Sequence, residues 1–233
     1  PRWSREEHIL ALNLYHRLPF GQYDQRNREV LALAGLLGRT AGAVAYKLGN
    51  FARIDPYHRA RGVKGLSHGA KGEELVWEEF ASDPEALAFE SERLLAERRG
   101  LALAESAEID ETDLPPEGRD REAVVRVRVN QAFFRRRILS AYGGRCLVTG
   151  LAVAPLLVAS HIVPWADDAT NRLNPRNGLC LNALHDKAFD RGLMRIGPDY
   201  TIRFSQSLHE TAPESAAWLV ARDGEKLLLG ANG

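Results

Sequence analysis

The sequence predicts an α+β protein in two parts: an all-helical domain over residues 1–103 and a mixed domain over 120–233, joined by a linker at 104–119. Three observations carry that expectation. Apolar residues recur at helical spacing, with capping residues and breakers between them, as far as Leu95. The chain then loses periodicity and gains Pro115, Pro116 and Gly118, a linker composition. Beyond it, two short apolar runs bracket a polar loop and lead into a helical pattern, which suits two strands followed by a helix.

Charge is segregated although the formal net charge is zero. Lys plus Arg against Asp plus Glu runs 12 to 5 over residues 1–71, 3 to 15 over 72–118 and 16 to 11 over 119–233. Two basic regions flanking an acidic one point to a polyanion contacted at two places, because Lys and Arg release counterions from phosphates. The other reading of the same charges is a set of solvated faces. No run approaches the roughly 18 to 20 apolar residues of a membrane span, and the N-terminus lacks a secretion pattern, so a cytoplasmic protein with no membrane partner is expected. In that setting Cys146 and Cys180 are free thiols.

The first helix begins at a capping pattern, Ser4 followed by Glu6 and Glu7, places Ile9, Leu12, Leu14 and Leu18 inward, and ends near Pro19. A second helix carries Val30, Leu31, Leu33, Ala34 and Leu37 and stops at Gly38. Thr40 caps a third, which displays Arg39, Thr40, Tyr46, Lys47 and Asn50 in the manner of a helix-turn-helix recognition unit. The residues Trp3-Ser4-x-Glu6-Glu7 and Leu37-Gly38-Arg39-Thr40-x2-Ala43-Val44-x2-Lys47-Leu48-x-Asn50 resemble the Myb/SANT three-helix domain. The long 18–27 connection and the single core tryptophan depart from it. The resemblance implies a third helix in the DNA major groove, with Arg39, Tyr46, Lys47, Asn50 and Arg53 facing DNA.

Residues 51–71 read as a basic loop, with Pro56 ending regular structure and His58 and His68 on the surface. Two amphipathic helices follow, the second with Pro84 in its first turn, and their paired glutamates, Glu73/Glu74 and Glu78/Glu79, read as solvated carboxylates. Past the linker, seven arginines crowd between Arg119 and Arg137. A helix over 122–142 puts Phe134, Ile138 and Tyr142 on one face and leaves Arg135, Arg136 and Arg137 partly outward toward phosphates; the alternation at 124–129 also suits a strand. A strand then ends at His161, a second spans 178–182, a helix starts at His185, and a hairpin turns at Gly197-Pro198-Asp199. The last twenty-odd residues read as a helix and a closing strand. Trp165 and Phe189 are assigned to the core, and His209 has no evident partner.

His161, Asn177 and His185, with NP-x-NGLCLN-x-LHDKAFDRGL around the last two, resemble the HNH nuclease family over residues 130–205. Relatives of restriction type join such a domain, preceded by an arginine-bearing helix and a Cys-x2-Thr-Gly segment, to a DNA-recognition module. The full expectation is therefore an all-helical DNA-binding domain joined to a ββα-metal (HNH) nuclease domain, acting as a metal-dependent endonuclease on double-stranded DNA in restriction or defence. His161 is the expected general base, since an imidazole can take a proton from water near neutral pH. His185 is the expected metal ligand, and Asn177 completes the catalytic set by pinning the loop that orients His161. The ion is Mg²⁺, with Mn²⁺ or Ni²⁺ as alternatives. Ser160 stands where the family often has an Asp or His ligand; Asp190 offers a carboxylate instead, with Asp186 behind it. Some relatives carry two Cys-x2-Cys pairs, but Cys146 is followed by Thr149 and Cys180 by Ala183, so no structural zinc is expected. One such site cuts one strand, which implies a homodimer for a double-strand cut. The competing expectation is a DNA-binding regulator on a catalytically silent HNH scaffold, and RNA cleavage is a third.

Overall fold

The computed structural model describes residues 2–60, 62, 71–110, 112, 114–116, 118–211 and 214–229. It divides into two compact units, Pro1–Phe133 and Phe134–Gly233. The division falls inside a helix, at neither end of the 104–119 stretch.

In the first unit α1 (Arg5–Arg17) is the axis. Ser4 Oγ accepts from the Glu7 amide and Glu7 answers to the Ser4 amide, so the expected cap is a full capping box. Every residue from Glu7 to Tyr15 is buried, because α2 (Arg28–Leu37), α3 (Ala41–Ile54), α5 (Lys71–Phe80) and α6 (Pro84–Arg99) all pack on α1. Asn27 and Thr40 cap α2 and α3, and Gly38 between them takes φ 62°, a left-handed turn that glycine adopts without strain. Ile9, Val30, Val44, Leu48 and Phe51 are fully enclosed.

Several expectations for this unit are corrected. Pro56 begins a short helix, α4 (Pro56–Ala60), because its missing N–H costs nothing in a first turn. His58 is buried against Phe20, while His68 lies outside the described residues. Part of the expected linker is helical, α7 (Leu103–Ser106), tied down by Ser106 Oγ donating to Glu92 at 2.7 Å.

The largest correction concerns α3. Glu73, on α5, is completely buried, and it receives Lys47 Nζ at 2.5 Å and Asn50 Nδ2 at 2.8 Å. Trp3 lies beside this pair, with the Lys47 ammonium 5.0 Å and the Arg39 guanidinium 4.7 Å from its ring centroid. Arg39 makes a two-pronged bond to Glu7. Lys47 and Asn50 therefore face the protein because α5 docks on α3, and Arg39 does so because Glu7 of α1 holds it. Thr40 and Tyr46 remain exposed.

The long α8 (Arg119–Ala141) is helical throughout, so the strand alternative at 124–129 falls. The second unit takes over from Phe134 and continues with β1 (Leu157–His161), β2 (Gly178–Asn182), α9 (Ala183–Asp190), β3 (Met194–Ile196), β4 (Ile202–Phe204) and α10 (Gln206–Thr211). β1 and β2 are antiparallel, from Leu157 opposite Asn182 to His161 opposite Gly178, and β3 pairs with β4. The expected closing strand is a single bridge, Thr201 to Lys226. His209 does have a partner, Asp223, at 3.0 Å.

The buried ion pair makes a stability prediction. Burial pushes the Glu73 carboxyl up, but bonds from His8, Lys47 and Asn50 outweigh it and hold it far below the usual carboxylate range. Its contribution is thus present above about pH 4.5 and is lost as pH falls toward the depressed native value. Glu73→Gln is expected to cost about 3 kcal/mol at pH 7 by stranding Lys47. In urea melts from pH 7 to pH 2 the gap between wild type and variant should narrow with acid, and a gap independent of pH would show the pair contributes nothing.

Candidate active site

Two strands and a helix in immediate succession hold the residues of interest. β2 is buried along its whole length, and Asn182, its last residue, caps α9 by accepting from the amides of Leu184 and His185 at 3.1 and 2.9 Å. His161 ends β1 opposite Gly178, and beyond it the chain turns outward through Ile162 and Val163.

Asn177, just before β2, grips that turn. Its Oδ1 accepts from the Val163 amide at 2.7 Å, and its Nδ2 donates to the carbonyls of Val163 at 3.1 Å and Asn171 at 3.3 Å. Its backbone carbonyl accepts from the Ile162 amide at 3.0 Å. These bonds use both amide protons of Asn177 and one of the two lone pairs on its Oδ1.

His161 is half-buried, and its ring is held on three sides. Nε2 is 2.9 Å from the Arg172 carbonyl; only a donor satisfies a carbonyl, so Nε2 carries the proton and Nδ1 keeps its lone pair. Phe134 of α8 lies flat against the imidazole, centroids 3.9 Å apart and planes 14° apart. Trp165 meets it edge-on at 5.5 Å, and Arg172 Nε donates to the Trp165 carbonyl at 2.7 Å. Trp165, assigned to the core from sequence, is thus part of the wall of the site.

Ser160 is buried opposite Leu179, and its Oγ has no partner within hydrogen-bonding distance. It is nevertheless near enough to Asp186 of α9 to act on its carboxyl. Burial, aided by the charge of Asp190, pushes Asp186 above the usual carboxylate range against the pull of Ser160. Ser160 and Asp190 are the oxygen-bearing side chains that act on Asp186. Oxygen donors of this kind, with an unpartnered buried hydroxyl among them, fit a hard cation that keeps most of its waters, as Mg²⁺ does. Asp186, placed behind Asp190 from the sequence, is the carboxylate beside Ser160, since α9 starts directly after β2 and turns its first coil back over β1.

His185 does not join them. It is completely enclosed, Nε2 donates to the Leu219 carbonyl at 2.9 Å, and Phe204 and Trp218 flank the ring at 5.9 and 6.1 Å. On its other side is Cys146, whose Sγ accepts from the Asn182 amide at 3.2 Å. Burial raises the Cys146 thiol, but bonds from His185 and Thr149 overcome it and hold it at about 6, whereas burial pushes Cys180 up to about 11. Both His185 ring nitrogens face the interior, Nε2 on the Leu219 carbonyl and Nδ1 on the side of Cys146. Among the described residues no three His, Cys, Asp or Glu side chains converge as a metal site.

Arg135 and Arg137 of α8, both partly buried, make bonds to the protein's own backbone. Arg135 donates to the carbonyls of Leu157 and Ala154, and Arg137 to that of Leu173 at 3.0 Å, so they brace the loops around β1. Arg136 is half-buried in the same turn.

Residues 146–196 match the family model of the HNH endonucleases, a span that starts at Cys146 and ends with β3. No curated protein matches the chain.

Asn177→Ala should free the 162–163 turn. The expected loss is about 1–3 kcal/mol of stability for orphaned backbone groups, with faster hydrogen exchange at the Val163 amide. Unchanged protection there would mean that the turn is held by something else.

Proposed function

We propose, from the HNH endonuclease segment at residues 146–196, that the chain is a metal-dependent DNA endonuclease in which His161 is the general base. The observation that supports this reading is the tautomer. With Nε2–H held by the Arg172 carbonyl, Nδ1 is the one ring atom able to accept a proton from an attacking water. Asn177 keeps the turn after His161 rigid, so the imidazole enters the reaction already oriented. Ser160, Asp186 and Asp190 would hold a divalent ion, which when bound supplies charge stabilisation at the phosphate. The proton leaves water for Nδ1, and the imidazolium formed stays tethered through its other nitrogen.

The first unit serves, in this proposal, as the DNA-reading module of a restriction or defence enzyme that works as a homodimer. With Lys47, Asn50 and Arg39 engaged internally, the phosphate contacts fall instead to exposed Arg26, Arg28 and Arg59, beside Thr40 and Tyr46. A second reading, a DNA-binding regulator on a silent scaffold, is favoured by one observation: among the described residues no three His, Cys, Asp or Glu side chains converge.

Supercoiled plasmid with Mg²⁺ or Mn²⁺ separates the two. Wild type should nick or cut it and His161→Ala should be slower by about 10²–10⁴-fold; equal activity of the two proteins would end the catalytic reading, and tight duplex binding without cleavage would establish the second. Calorimetric Mn²⁺ binding tests the donor set. Asp186→Asn should abolish it, while His185→Asn should keep it and lower stability by about 2 kcal/mol; loss of binding in the His185 variant alone would restore His185 as the ligand.

A further inference from the structure

We propose that Phe134 is a positioning residue for the reaction: its ring holds the plane of the His161 imidazole, so that Nδ1, already turned the right way by the Arg172 bond, keeps its direction. This rests on the reading of His161 as the base. The torsion that spins an imidazole about its Cβ–Cγ bond is broad and roughly two-fold, and a half-turn exchanges Nδ1 for a carbon. The bond from Nε2 to the Arg172 carbonyl selects one of the two orientations, because a half-turn would carry Nε2 away from it. The flat contact with Phe134, 3.9 Å between centroids, resists rocking of the ring within that orientation, and Trp165 stands edge-on to the ring at 5.5 Å.

Phe134 can do this because it cannot itself move. It is 1% exposed, on α8, and its Cζ reaches over Gly178, the residue opposite His161 in the ladder. A Cβ at position 178 would come within 2.7 Å of that Cζ and closer still to Ile138. The absent side chain of Gly178 is thus the space that Phe134 and Ile138 occupy, and it sets where the aromatic face lies under His161. A phenylalanine that merely filled core would leave the histidine indifferent to its replacement by another apolar residue of similar bulk.

The test uses the full chain as wild type, Phe134→Leu, Phe134→Tyr and Gly178→Ala, with plasmid kinetics in Mg²⁺ and ¹⁵N imidazole NMR of His161. In wild type, the His161 carbon-bound protons should be shifted upfield by the Phe134 ring, and ¹⁵N should show a single Nε2–H tautomer in the neutral form. Phe134→Leu and Gly178→Ala should lose the upfield shift, populate both tautomers and lower kcat about tenfold or more with KM within about twofold, while Phe134→Tyr keeps all three. A folded Phe134→Leu protein with wild-type tautomer and kcat overturns the proposal. Should that variant not fold, absence of the ring-current shift in wild type overturns it equally. If wild type cleaves nothing, the endonuclease reading fails, and the NMR comparison still decides whether Phe134 sets the ring.

Discussion

The approach of α8 to β2 across Gly178 is the constraint on which the second unit depends. Only a residue without Cβ lets Phe134 and Ile138 settle against the strand. From that contact Tyr142 reaches the Gly178 carbonyl at 3.1 Å, and Arg135 and Arg137 reach the carbonyls on either side of β1. The ladder then carries the arrangement across to His161, which stands opposite Gly178. A run of arginines that looks like a phosphate-binding surface is thereby drawn into bracing the loops, because guanidinium groups near unpaired carbonyls find them before they find a ligand.

A similar logic governs the first unit. Glu73 takes a fully buried position only because Lys47 and Asn50 meet it there, and neither cation nor amide can leave without stranding the other in an apolar interior. α2 and α3 flank the turn at Gly38, and Arg39, Lys47 and Asn50 are engaged inside.

Local signals in the sequence were strong where a single residue dictates backbone geometry. Ser4, Thr40, Gly38 and Pro84 mark their helix ends correctly, and the second strand is read to the residue as 178–182. The order of His161, Asn177 and His185 around strand, loop and helix was legible too. What spacing could not supply was direction. His161 and His185 look alike as letters, but one ends a strand at the rim and the other sits on the inner side of a helix, under Trp218. Asp186, a neighbour in sequence, lies about 100° further round the helix, beside Ser160. Likewise the inward turn of Lys47 needed knowledge that α5, more than twenty residues on, packs over it.

The bond from His185 to the Leu219 carbonyl bears on where this folding unit stops. The family match ends at Ile196, with β3, yet Nε2 of the histidine in α9 bonds a carbonyl beyond α10. The segment after it returns once more, where the Leu228 amide donates to the Leu147 carbonyl beside Cys146. A fragment trimmed to the recognisable motif would thus expose a polar interior on one side and an unpaired strand edge on the other. For anyone wishing to transplant this module, the smallest portable piece runs from the second half of α8 to residue 229, almost twice the length that the motif suggests.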